Sequence, residues 1–514
     1  MRIKNSIYNS LTGVATQIVT IILNFVSRTV FIYALGNEYL GINGLFSNIL
    51  SLLSLSELGI GTAITFSLYK AVAEENQYKI NALMTLYRRI YRIISIGILI
   101  IGLSISPFLQ YLINGSNFSN NYIKLIFIIN IINSSASYLL SYRTAIIFVN
   151  QKDYILKMIS MIFNSIAIIM QITILILFKN YVFYLITQVI FTVINNTIGY
   201  YLSRKMYPEV KYSKYYKLNK LELKEIIIKV KSLIVHSISS FITFGTDNIV
   251  ISYFIGIIEV GIYSNYNLII STVNTLLNRI IEGVTSSMGN LIATSNRDKV
   301  YDIFNKMYFI CFWIFSFSFV CLFNIINPFI CVWLGEKNIL STGVVIVLLM
   351  NFYIIGVRQA VIITRNAGGF YTNDRLAAIV KPIANITFTI VLTKEYGLIG
   401  VFLGTLISSI IADILLSPYF LYKKYFNKSY IEYIKKYFVY LCITISNILI
   451  TYIICGMLPS NLNIILSILV KLIICIITTN ITIWIMFKNK EEFIFIFRII
   501  NNLCSKNDKV LVAK

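Results

Sequence analysis

The sequence predicts an all-α integral membrane protein with about fourteen transmembrane helices. These are two six-helix bundles plus two extra C-terminal helices, with both termini cytoplasmic. Three observations predict it. Hydrophobic residues make up 57% of the 514 and charged residues only 13%, where a soluble chain carries about 25% charge. The apolar residues gather into runs of the length a helical span needs, about 20 residues. The basic residues alternate between successive connections. A water-soluble enzyme is excluded, because too few polar residues exist to cover its surface. A disordered chain, which requires low hydrophobicity, is excluded as well.

Turn and charge punctuation places the spans at 10–34, 40–67, 93–112, 123–148, 158–178, 181–203, 232–255, 262–292, 308–334, 341–364, 376–393, 396–422, 437–456 and 463–487. Arg2 and Lys4 precede the first run as they would in a signal peptide. That run is longer than a signal h-region, lacks a clear cleavage site and contains Arg28, so it reads as a retained span.

The connections test this layout independently. With the N-terminus inside, the inside segments hold 34 of the 44 Lys and Arg. The outside loops hold four, Lys124, Lys179, Lys337 and Lys394, and six lie within spans. This is the positive-inside pattern. It assigns the net charge of +23 to topology and contact with anionic membrane lipids, not to nucleic acid. The outside loops are short, so no extracellular domain is expected. The longest inside loop, 204–231, carries nine Lys and Arg interleaved with Tyr207, Tyr212, Tyr215 and Tyr216. Its second half has the pattern of an amphipathic surface helix. The expected organisation is therefore a bundle over 1–203, a basic linker over 204–231 and a bundle over 232–422. Two additional helices over 423–487 and a basic tail over 488–514 complete it.

An internal repeat supports the two-bundle division. Gly36 and Gly41 match Gly256 and Gly261 at one offset of 220, and Tyr33 matches Tyr253. A Gly-x4-Gly turn thus joins the first two spans of each half. Seven Cys without CxxC spacing and the single His236 indicate neither a metal site nor a disulfide framework. No Gly-x4-Gly-Lys-Ser/Thr motif occurs, so nucleotide hydrolysis by this chain is not expected.

The chain resembles the polysaccharide-transporter branch of the multidrug/oligosaccharidyl-lipid/polysaccharide exporter superfamily. The resemblance rests on the 6+6+2 layout and three segments: Ser-Glu-Leu-Gly-Ile-Gly-Thr-Ala (56–63), Asp247 followed by Val-Gly-Ile-Tyr-Ser (260–264), and Lys-Glu-Tyr-Gly-Leu-Ile-Gly-Val-Phe-Leu-Gly-Thr (394–405). It covers roughly 1–487. It implies a flippase of the bacterial cytoplasmic membrane. Such a flippase carries undecaprenyl-pyrophosphate-linked oligosaccharide for surface polysaccharides such as O-antigen or capsule. Two bundles would enclose a V-shaped cavity working by alternating access. A polysaccharide polymerase and glycosyltransferases would be its partners.

Charges within spans each cost at least about 2.5–3.5 kcal/mol at mid-bilayer and are functional candidates. Six are basic (Arg28, Arg143, Arg279, Arg358, Lys381, Lys471) and four acidic (Glu57, Asp247, Glu282, Asp413). The excess is basic, which suits an anion such as a pyrophosphate, and Arg matches phosphate oxygens bidentately. Arg28 and Arg279, one per half, lead as substrate contacts. Arg143, Arg358 and Lys381 lie nearer the cytoplasmic ends, where they either anchor the helices or greet the headgroup. Glu57, Asp247 and Glu282 are the candidates for ion coupling by H+ or Na+. The competing role is that of counter-ions, Glu57 and Asp247 for Arg28 or another buried cation, and Glu282 for Arg279 one turn away. Lys471 and Asp413 read as structural. Asn and Ser within spans, among them Asn130, Asn133, Ser134, Ser135 and Asn196, either bond sugar hydroxyls or join helices.

Three other functions fit parts of the pattern. A peptidoglycan-precursor flippase would use the same pyrophosphate chemistry. An exporter of small cations would want an acidic cavity, against the basic excess. A membrane polymerase or ligase, an enzyme, would need a large external loop or paired catalytic groups. The outside loops show neither.

Overall fold

The computed structural model describes residues 2–282, 285–370, 375–459 and 462–504. Helix dominates these residues, and no strand occurs among them. Numbering the long helices in chain order, α1 is Arg2–Leu35, α2 Asn37–Leu53, α3 Leu55–Ala73, α4 Gln77–Ile105, α5 Asn120–Leu139, α6 Asp153–Phe178 and α7 Tyr181–Met206. There follow α8 Lys220–Gly245, α9 Asp247–Phe254, α10 Ile257–Glu282, α11 Thr285–Thr294 and α12 Arg297–Leu334. The last are α13 Thr342–Val357, α14 Gln359–Gly368, α15 Arg375–Tyr396, α16 Leu398–Ser409, α17 Tyr430–Gly456, α18 Ile464–Phe487 and α19 Glu491–Cys504. The chain forms two compact units, Met1–Ser264 and Asn265–Lys514.

Among the described residues, eleven helical segments are long and apolar enough to cross a membrane, and the protein is a multi-pass membrane protein. Three of the fourteen predicted spans are not among the eleven. Span 40–67 falls on α2 and α3, divided at Ser54, whose hydroxyl bonds the Leu50 carbonyl at 2.9 Å. Span 232–255 falls on α8 and α9, divided at Thr246, whose hydroxyl bonds the Ile242 carbonyl at 2.7 Å. Hydroxyls bonding back to the preceding turn compete with the helix and bend it. Span 262–292 falls on α10 and α11. Its α10 is long enough but diluted by Asn265, Asn267, Asn274 and Asn278.

Two other boundaries differ from the sequence reading. Helix α4 begins at Gln77, capped by Asn76, so it carries Arg88, Arg89 and Arg92 inside the helix and not in a loop. Helix α8 begins at Lys220, where Asn219 and Glu222 form a reciprocal capping box. The expected amphipathic surface helix and the following span are therefore one continuous element. The stretch before it is tied to α4: Tyr78 donates to the Tyr215 carbonyl, Lys211 N–H donates to Asn81, and Lys79 pairs with Glu222 at 2.7 Å.

In the first unit, the loop 113–119 is stitched in by Glu38, whose carboxylate accepts from Ser116 and from the Asn117 backbone. In the second, α12 is the central element. Its Phe312 stacks on Tyr440 of α17 at 4.1 Å, and its Phe309 meets Phe487 of α18 at 4.9 Å. Two polar bonds join α12 to α17, Thr444 to Ser316 (2.8 Å) and Asn324 to Thr451 (3.0 Å). Side-chain hydrogen bonds of this kind hold helices together where lipid removes the hydrophobic drive. The two extra C-terminal helices are thus part of the second unit's core. Helix α19 docks on the same element, with Phe493 stacked on Trp313.

Candidate functional site

A cavity of about 500 Å³ lies within the first unit, inside the range of small-molecule sites. Helix α2 contributes Asn43, Ser47 and Ser51, and the α2–α3 break contributes Ser54 and Glu57. Helix α5 supplies Asn130, Asn133, Ser134 and Ser137, and α7 supplies Tyr184, Gln188 and Thr192. The lining is amide and hydroxyl, with Glu57 as its one carboxylate and no Lys or Arg. The break at Ser54 is what opens this wall, because it starts a new helix three residues before Glu57.

Glu57 is held by tyrosines. Tyr91 of α4 donates to its Oε1 at 2.5 Å, and Tyr138 of α5 donates to its Oε2 at 3.4 Å. Tyr87, one turn before Tyr91, donates in turn to Tyr91 at 3.0 Å. Gly61 leaves room for this chain, since a Cβ there would sit 3.0 Å from the Tyr87 hydroxyl. No Lys or Arg pairs with Glu57 among the described residues. It is therefore not the counter-ion of Arg28. The tyrosine pair escaped the sequence reading because Arg88, Arg89 and Arg92 pushed the predicted start of the span to 93. The i, i+4 spacing of Tyr87 and Tyr91 was the available signal.

Arg28 stands at the border of this cavity. It lies beside Tyr184, whose ring packs against Phe31 one turn further along α1 at 5.4 Å. Its Nη1 is shielded from solvent and has no hydrogen-bond partner. Asn133, on the cavity wall, likewise keeps a shielded Oδ1 without a partner. The in-span Asn and Ser divide into two sets. Asn130, Asn133 and Ser134 line the cavity. Ser135 instead bonds Ser95 at 2.7 Å, and Asn196 bonds the Ser137 carbonyl at 3.1 Å, joining helices.

The remaining charged candidates lie elsewhere. Arg143 sits buried in the 3-10 turn Ser141–Thr144, between the rings of Tyr200 and Tyr212, each at 5.2 Å, and donates to the Tyr207 carbonyl. It clasps the basic linker. Asp247 is buried in the first turn of α9. Arg279 is exposed on α10. The side chain of Glu282 lies outside the described residues, and with it the expected Arg279–Glu282 pair.

In the second unit Arg358 and Lys381 converge on one carboxylate. Arg358 Nη1 meets Asp413 Oδ1, and Lys381 Nζ donates to Asp413 Oδ2 at 2.5 Å. Lys381 and Asp413 are buried. Asp413 lies in a π-helical segment, Ile410–Leu416. Helices α15 and α16 bring the partners together by close approach at Gly404, where a Cβ would overlap Thr389. A basic pair sharing one acid leaves a net positive cluster. The sequence tally of in-span charge therefore does not describe the first unit's cavity, where the charge is acidic.

The matches to known proteins agree with one another. A family model described as "Polysaccharide biosynthesis protein" matches residues 3–286, more than half of the chain. No curated protein matches the sequence significantly. Among solved structures, the lipid II flippase MurJ in an inward closed conformation aligns with a TM-score of 0.68 at 17% identity, covering 93% of this chain and 98% of that one. An inward-facing multidrug resistance MATE family transporter aligns at 0.63 and 14% identity, covering 79% and 94%. The Vibrio cholerae MATE transporter VcmN aligns at 0.55 and 14% identity, covering 82% and 98%. These likenesses show a shared fold. The chain thus belongs to the polysaccharide biosynthesis protein family, whose model covers more than half of it.

Proposed function

We propose that the protein is a flippase. It carries an undecaprenyl-pyrophosphate-linked oligosaccharide from the inner to the outer leaflet of the bacterial cytoplasmic membrane, for surface polysaccharide synthesis. The observation that carries this reading is the amide- and hydroxyl-lined cavity within an apolar helical unit. Such groups are costly in a membrane unless they meet polar partners, and sugar hydroxyls are such partners. Arg28, with a shielded guanidinium nitrogen at the cavity's border, is the group for the pyrophosphate, since Arg pairs with phosphate oxygens through two parallel N–H donors. Arg358 and Lys381 form a second basic station, and Arg143 and Arg279 remain further candidate contacts. Energy comes from an H+ or Na+ gradient through Glu57, Asp247 or Glu282. Polysaccharide polymerase and glycosyltransferases stand on either side of the step.

The test is deletion with complementation. Loss of the gene should abolish surface polysaccharide and leave lipid-linked repeat units inside the cell. Wild type should rescue, and Arg28→Ala should not. Rescue by Arg28→Ala removes that residue from the site while leaving the function. A second reading, export of a small cation, is favoured by one observation: the cavity's charge is a carboxylate without a basic partner. Normal polysaccharide with altered drug sensitivity after deletion would select it.

A further inference from the structure

We propose that Glu57 makes the cavity selective against acidic sugars, so that the cargo is a neutral or amine-bearing glycan and not one carrying a carboxylate. The proposal rests on the flippase reading above and deepens it.

Three observations carry it. First, the lining holds one charge, that of Glu57, and no basic residue that could accompany an acidic sugar. The cation at the cavity's border, Arg28 beside Tyr184, is the one assigned above to the pyrophosphate, and Arg143 of the same unit is held between Tyr200 and Tyr212. Second, the hydroxyls around Glu57 are arranged as donors towards it. Tyr87 donates to Tyr91, Tyr91 to Oε1, and Tyr138 to Oε2. Each oxygen here accepts a tyrosine hydroxyl, so the group presents acceptors and offers a second anion no donor. Third, the rest of the wall is amide and hydroxyl. Asn133, also on the wall, keeps a shielded carbonyl oxygen without a partner.

The Glu57 carboxylate on the wall favours a ligand that donates. Sugar hydroxyls donate, and an ammonium donates more strongly. A uronic acid brings a second carboxylate into a low-dielectric space, where like charges repel strongly. Specificity by an unfavourable charge needs no contact optimised for the right cargo.

The test uses the purified full chain in proteoliposomes. Two probes are compared: an undecaprenyl-pyrophosphate-linked neutral trisaccharide, and the same lipid with one glucose replaced by glucuronic acid. Translocation is read as protection from a membrane-impermeant periodate. Wild type should move the neutral probe at least about tenfold faster, the discrimination that one unfavourable charge contact readily supplies. Glu57→Gln should narrow that ratio, which is read independently of any change in the absolute rate. Gln188→Lys, which adds a cation to the opposite wall, should admit the acidic probe without touching Glu57.

Equal rates for both probes in wild type overturn the proposal and keep the flippase. So does a Glu57→Gln variant that folds but moves neither probe, since that assigns Glu57 to coupling. If Glu57→Gln does not fold, Gln188→Lys decides alone, and an unchanged ratio there overturns the proposal. Wild type moving neither probe overturns the flippase reading itself.

Discussion

Gly41 and Gly261 each rest on the opening carbonyl of the other's helix. A Cβ on Gly41 of α2 would overlap the Ile257 carbonyl at the start of α10. A Cβ on Gly261 of α10 would overlap the Asn37 carbonyl at the start of α2. Residues 37 and 257 differ by 220, as do 41 and 261. The contact is therefore reciprocal under the repeat offset read from the sequence. The preceding residues obey the same offset, Gly36 with φ 87° and Gly256 with φ 149°. Both conformations favour glycine.

Substituting either helix glycine should destabilise the fold. Gly41→Ala and Gly261→Ala each force a backbone carbonyl to move, and overpacking of this kind costs about 1–3 kcal/mol. Thermal unfolding in detergent measures it. The double variant should lose less than the sum of the two, because one shift of the helix pair relieves both overlaps.

Asp413 should be the costliest single residue of the second unit's polar core. Asp413→Ala leaves Arg358 and Lys381 facing one another in a buried place, a loss of about 3–5 kcal/mol. Replacing one cation as well, in Asp413→Ala with Lys381→Met, should recover part of it. Unfolding midpoints of the single and double variants check this. An unchanged midpoint for Asp413→Ala would show that the triad is dispensable.

Tyr91→Phe removes the 2.5 Å donor to Glu57. Leaving a half-buried carboxylate short of a donor costs about 1–3 kcal/mol. The expected result is a lowered unfolding temperature, with a smaller effect from Tyr138→Phe, whose bond is 3.4 Å.

The linker should loosen in acid. The Lys79 ammonium holds the Glu222 carboxyl below the usual carboxylate range, helped by the Asn219 backbone N–H. A lowered folded value means that the tie is fully present above the usual carboxylate range. It is lost as the pH falls through the folded value. The protection of residues 207–219 against hydrogen exchange, taken relative to the intrinsic rate at each pH, should fall over that interval. Glu222→Gln should show the lower protection at neutral pH, and the difference should vanish once the wild-type carboxyl is protonated.

Much of the membrane architecture was legible because apolar runs and basic loops are strong, local signals. The second and seventh predicted spans show the limit. A run of hydrophobic residues does not reveal that Ser54 or Thr246 will bond its own helix and divide it. The start of α4 was hidden for the opposite reason, since arginines read as loop whether or not the helix continues through them. The site was legible only as a set of unlikely charges. That Arg358 and Lys381 share Asp413, while Glu57 takes tyrosines, depends on residues tens of positions apart. Pairing of that range leaves no trace in local pattern.

Asp413 reaches its two cations from a stretch where the backbone bonds to the fifth residue and not the fourth. Such a turn holds about one residue more than an α-helical turn. Ile410–Leu416 can therefore be regarded as a helix that has absorbed an extra amino acid, and Leu421–Phe426 as a second case. Removing one residue before Asp413 would restore the ordinary winding and turn the carboxylate by roughly 100° about the axis, one helical step. The acid would leave both bases without any charged residue being altered. Chain length at this point, as much as residue identity, determines who pairs with whom.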